Sequence, residues 1–147
     1  MIVYHGSYCI IEEPNVKYSR DDLDFGKGFY ITGLEQQAVT WTDKFKRRGK
    51  KGYVNIYNLQ IEEISQYYKI KEFKQYGLAW LDFILACREG SNCYLEYDLI
   101  IGGIADDRVY NTITLYFDQL ITKDEALKRL KYYKPNHQIC MVNYKNL

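Results

Sequence analysis

The chain has 147 residues, 47% of them hydrophobic, and a formal net charge of +1. That length suits one domain with a real core, without help from metals or disulfides. The near-neutral balance excludes a global pull toward nucleic acid or an acidic membrane surface.

The elements follow in chain order. MIVY reads as a first short strand that stops at His5-Gly6-Ser7. Tyr8 to Asp24 is polar, with Pro14 and Asn15 as turn signals. GFYIT, Gly28 to Thr32, is a second strand. Leu34, Ala38, Trp41 and Phe45 then recur at helical spacing, and Gly49 and Gly52 end that helix. YVNIYNLQI, Tyr53 to Ile61, alternates as a strand does. GLAWLDFILACRE is apolar on most sides and fits a buried helix, broken by Gly90-Ser91-Asn92. YDLIIGGIADD is a central strand closed by glycines, and DRVYNTITLYFDQL is a helix. TKDEALKRLKYY is another, with Thr122 as N-cap, Glu125 at the capping-box position and Pro135 as its stop. HQICMVNY is the last strand. Helices and strands mix without strict βαβ alternation, so the expectation is a single α+β domain with a mixed or antiparallel sheet.

Cys9, Cys87, Cys93 and Cys140 form no CxxC pair, and neither histidine stands near them at zinc-like spacing, so no metal is expected. A Cys–His nucleophile pair drawn from Cys9 or Cys140 with His5 or His137 has no local signature. The opening MIVYHG lacks the regions of a secretory leader, and no apolar run nears the ~18 residues of a membrane span. The expectation is a cytoplasmic protein with reduced thiols and no membrane contact. KFKRRGKKG, Lys44 to Gly52, is read as a solvated helix end; its alternative is contact with the phosphates of a nucleic acid. The 16 tyrosines suit half-wet cores and interfaces, and composition does not say which.

Candidate chemistry gathers at strand ends. DFGKGFYIT, Asp24 to Thr32, sets Gly26 and Gly28 against Phe29 and Tyr30. Glycine weakens a strand interior and marks a bend or the close approach of another group. His5-Gly6 offers an imidazole beside uncovered backbone, Tyr30 offers a ring, and Trp41 follows eleven residues later. Each has a plain alternative. His5 suits a packing role, Tyr30 a core aromatic and Trp41 a core stripe with Leu34, Ala38 and Phe45. Asp106-Asp107 suits a turn and helix cap, Gln138 an ordinary strand residue and Arg20 a surface charge.

The order YHGS, GFYIT and a further aromatic resembles the diphtheria-toxin and poly(ADP-ribose) polymerase branch of the ADP-ribosyltransferases. DFGKGFYIT, IIGGIADDRVY and NHQI together, from Tyr4 to about Met141, resemble a bacterial domain family of unknown function, DUF3990, thought to share that fold. The resemblance implies a split mixed sheet around an NAD cleft. It implies that His5 bonds a ribose hydroxyl, that the Gly6 backbone holds the nicotinamide carboxamide beside Ser7, and that Tyr30 and Trp41 sandwich the nicotinamide. Asp24, Phe25, Gly26, Gly28 and Phe29 would line the dinucleotide, with the glycines as clearance, and Arg20 would pair with the pyrophosphate.

The resemblance to the transferases sets Trp41 where family members place tyrosine, and matches Gln138 to the late-strand glutamate of the well-studied transferases. Tryptophan keeps a π-face. Glutamine can still bond a hydroxyl but lacks the charge, a loss of roughly 3 kcal/mol at ~5 Å and effective ε ~20. Asp107, with Asp106 beside it, is the candidate substitute carboxylate. The function implied is NAD-dependent mono-ADP-ribosyl transfer of bacterial toxin, effector or defence type. NAD is the substrate, the acceptor is a protein or nucleic acid, and an antitoxin protein is a candidate partner. The alternatives are NAD hydrolysis and a degenerate NAD- or ADP-ribose-binding or protein-interaction module.

Overall fold

The structure, a computed structural model, describes residues 1–15, 24–105, 107–133 and 136–143, and for Asp107 and Arg108 the backbone alone. Among the described residues two sheets are built from six strands. β1 (Ile2–Ser7) pairs antiparallel with β3 (Tyr53–Asn58). The second sheet runs β2 (Phe29–Ile31), β6 (Gln138–Met141), β5 (Leu99–Gly102), β4 (Ile70–Glu72), with β4 and β5 parallel and the other pairs antiparallel. Among the described residues a single bridge, Tyr4 to Thr32, joins the two sheets.

The helices are α1 (Glu35–Arg47), α2 (Ile61–Tyr67), α3 (Leu78–Arg88), α4 (Asp107–Phe117) and α5 (Lys123–Leu130), with a 3₁₀ turn over Cys93–Glu96. The architecture is α+β with mixed strand pairing, as the interspersed pattern implied. The first strand runs three residues further than expected. His5, Gly6 and Ser7 pair with Asn55, Val54 and Tyr53, so they sit within the strand and not after it. Neither α2 nor β4 was anticipated. Thr122 does cap α5, its Oγ1 accepting the Glu125 N–H at 3.1 Å. That helix ends at Leu130, earlier than its polar-apolar pattern implied, and Pro135 lies outside the described residues.

Side chains alternate across the four-stranded sheet and feed two cores. Phe29, Ile31, Leu99, Ile139 and Met141 face one way, packing with Val3 of β1 and with Leu59 and Ile64. Ile100 and Cys140 face the other way, against Phe25, Trp80, Ile84 and Ile113 beneath α3 and α4. The basic run behaves as a helix end: Lys44, Lys46 and Arg47 fill the last turn of α1, and Gly49 follows at φ +77° with open space around it.

Candidate functional site

The site begins where the two sheets part. Tyr4 and Thr32 exchange both backbone hydrogen bonds, at 2.8 and 2.9 Å. In an antiparallel strand every second residue points its N–H and C=O to the same edge. Tyr4 and Gly6 therefore present their backbone groups toward β2, while His5 and Ser7 present theirs to β3. A continued ladder would pair Gly6 with Tyr30. It does not continue, because the His5 imidazole takes the Tyr30 carbonyl through Nδ1. The Gly6 N–H and C=O consequently have no hydrogen-bond partner among the described residues.

A carbonyl only accepts, so His5 Nδ1 carries the proton and Nε2 is the acceptor. Burial holds the imidazole below its usual proton affinity; the Tyr30 carbonyl opposes this and Lys44 reinforces it. The His5 ring stacks on Phe29 at 4.1 Å between centroids and meets the edge of Trp41 at 6.5 Å. Trp41 is half-buried on α1, whose buried positions are Ala38 and Thr42. It is therefore not the centre of the helix's core stripe. A Cβ on Gly6 would lie 2.1 Å from the Ala38 carbonyl and 3.1 Å from Trp41 Cβ, so the glycine lets α1 sit directly on β1.

The register carries Tyr30, Cys140 and Gln138 onto the face of the sheet that also bears Gly6. Tyr30 is half-buried and links the two parts of the site. Its carbonyl holds His5, its hydroxyl donates to the Gly26 carbonyl, and the same hydroxyl accepts the Phe25 N–H at 3.0 Å. Burial raises its proton affinity, so the phenol is neutral. The ring is thus tied into the Asp24–Gly28 loop. Among the described residues Trp41 makes its ring contact edge-on with His5 and none with Tyr30.

The glycines of this loop answer to packing inside the protein. Gly26 has φ +81°, and a Cβ there would strike the Tyr94 ring at 2.3 Å; a Cβ on Gly28 would strike Cys140 Sγ at 2.4 Å. The clearance expected for a dinucleotide is filled by these side chains.

Asp24 closes the loop over β6. Its Oδ2 accepts the Ala105 N–H at 2.9 Å and the Gln138 Nε2 at 3.4 Å, and its Oδ1 lies 3.9 Å from the Arg88 guanidinium. Arg88 in turn stacks on the Tyr110 ring at 4.2 Å. Burial raises the Asp24 carboxyl above its ordinary range, against the Ala105 N–H, Arg88 and Gln138. Gln138 is 4% exposed and also donates from Nε2 to the Gly103 carbonyl at 3.3 Å, which Trp80 Nε1 shares at 3.2 Å. The meeting of Asp24 with Gln138 has no signature in the sequence, since 114 residues separate the two.

Ser7 is buried, with its Oγ 3.9 Å from Cys9 Sγ. Cys140 is fully buried and its thiol is pushed up to about 12 by burial, with Tyr30 opposing, so it is no nucleophile at neutral pH. Arg20 and Asp106 lie outside the described residues, as does the side chain of Asp107, the first residue of α4.

Fold and site together define an α+β domain whose two sheets part around an unpaired strand edge. The chain belongs to the family described as a protein of unknown function, DUF3990, which it matches over residues 1–147. No curated protein and no solved structure matches it. Among the described residues no helix is long and apolar enough to cross a membrane, and no group of three or more His, Cys, Asp or Glu could hold a metal ion.

Proposed function

We propose that the chain is an NAD-dependent mono-ADP-ribosyltransferase of bacterial toxin, effector or defence type, with an ADP-ribosyltransferase-like split sheet. The observation that carries the reading is the unpaired edge at Gly6. A carboxamide has one N–H₂ and one C=O, and a strand residue with free C=O and N–H complements both. The His5 Nε2 beside it, fixed as an acceptor, suits a ribose hydroxyl. Trp41, half-buried beside His5, is the aromatic ring placed to meet a flat cationic ring.

In the reaction the bond between ribose C1′ and the nicotinamide nitrogen breaks, and its electron pair leaves with neutral nicotinamide. The oxocarbenium-like sugar is then attacked by a nucleophile of a macromolecular acceptor, which gives up its proton. The protein's part is to hold the substrate with the scissile bond exposed to the acceptor, and to offer hydrogen-bond acceptors to the ribose as positive charge develops. By the resemblance, Gln138 takes the place of the transferase glutamate, and Asp24 brings a carboxylate against it. An amide at that position favours a second reading, a module that binds NAD or ADP-ribose without turnover.

Incubation of the purified protein with NAD labelled in the adenosine half, together with bacterial lysate, separates these. Label on a macromolecule is the expected result. Free labelled ADP-ribose alone would make the chain an NAD glycohydrolase. Stabilisation by NAD with neither product would make it a binding module.

A further inference from the structure

Gln138 carries a feature that its position alone does not explain. The side chain is almost wholly buried, yet only its nitrogen is bonded. Nε2 has two hydrogens, directed at Asp24 Oδ2 and at the Gly103 carbonyl. Both are acceptors, so neither contact survives a flip of the amide. Oε1 has no partner among the described residues. No fully buried side-chain oxygen among them lacks one, so Oε1 is not fully closed off from solvent.

We propose that Asp24 is the positioning residue that locks the amide of Gln138, so that Oε1 is the single acceptor this side chain presents to a hydroxyl-bearing ligand. This rests on the reading above that the ligand is NAD, with a ribose hydroxyl as the donor. An unrestrained glutamine offers donor and acceptor about equally, and a donor facing a hydroxyl adds nothing that a family carboxylate would supply. The lock makes the amide imitate one carboxylate oxygen in geometry, without its charge. Asp24 is itself held for the task. The Ala105 N–H fixes Oδ2 as an acceptor, and Arg88, braced by Tyr110, faces Oδ1. Tyr30 and Cys87, the other titratable groups that feel the Asp24 charge, are both held neutral by burial first.

The test compares Asp24→Leu, which removes the acceptor, with Asp24→Asn, which keeps one. The readout independent of ligand is the side-chain amide resonance pair of Gln138, assigned by its disappearance in Gln138→Glu. In the wild type and in Asp24→Asn both amide protons should exchange slowly with solvent. In Asp24→Leu at least one should exchange about tenfold or more faster, and NAD affinity should fall about tenfold, the loss expected of one misdirected hydrogen bond. Unchanged amide exchange in Asp24→Leu would overturn the proposal.

Should Asp24→Leu not fold, Gln138→Glu decides. It sets two carboxylates against each other, so one must keep its proton in the folded state. Its melting temperature should fall, relative to the wild type, as pH rises through and above the carboxylate range, and Gln138→Glu with Asp24→Asn should abolish that fall. A pH profile equal to the wild type's would overturn the contact. If NAD binds none of these proteins, the NAD reading fails while the exchange and pH results still judge the lock.

Discussion

His5 shows how much a single side chain settles here. By taking the Tyr30 carbonyl it ends the pairing of β1 with β2 and leaves the Gly6 edge free. Replacing it with phenylalanine keeps the stack on Phe29 but gives up that bond. We expect His5→Phe to lose about 1 kcal/mol of stability in urea unfolding. The pH dependence should change as well. Burial lowers the His5 pKa below the unfolded value of 6.5. Its contribution is therefore fully present above pH 6.5 and is lost as pH falls through and below that value. His137, also lowered by burial, adds a second contribution of the same sign. The wild type should lose stability between pH 6.5 and 5, and His5→Phe should show a shallower loss, measured by melting temperature against pH. YHG made His5 legible as a candidate, though not its bond to Tyr30. Its tautomer was not legible, because that depends on a carbonyl 25 residues away.

At the scale of elements, α1 resting on β1 is the packing that shapes the site. Gly6 is where the two backbones come closest, and the atom a side chain would meet is a main-chain oxygen that cannot rotate away. Gly6→Ala should destabilise the fold by about 1–3 kcal/mol, the usual cost of overpacking, in denaturant unfolding. It should also weaken NAD binding, since α1 carries Trp41. The longer helices were legible, α1 and α5 from their periodicity, α3 as an unbroken apolar run and α4 from its length, as were the strands rich in β-branched residues. β4 was not, since three residues, Ile70–Glu72, are too few to display an alternation. α2 was hidden because its first residue, Ile61, continues the apolar pattern of the preceding strand. The end of β1 was misjudged for a related reason: Gly6 reads as a strand breaker, while its true cause is a helix packed against it.

At the scale of the molecule, the described residues form two cores on either side of a four-stranded sheet, with the two-stranded β1–β3 pair attached through one backbone bridge among them. DFGKGFYIT belongs to both halves: Phe29 and Ile31 pack toward β1, and Phe25 packs toward the helices. The α+β class followed from the order of elements. The split between sheets did not, because it arises from a side chain competing with a ladder, and no propensity reports that. The glycines in the motif were legible as points of close approach, but the approaching groups are Tyr94 and Cys140.

The central claim is that the parted edge at Gly6, His5 and Trp41 receives NAD, and a thermal melt with and without NAD tests it most directly. A ligand at about ten times its Kd stabilises by about 1.4 kcal/mol, which for a chain of this size raises the melting temperature by ~3–6 °C. The account predicts such a rise at millimolar NAD for the wild type and a markedly smaller one for Trp41→Ala. No rise for the wild type at millimolar NAD would contradict it.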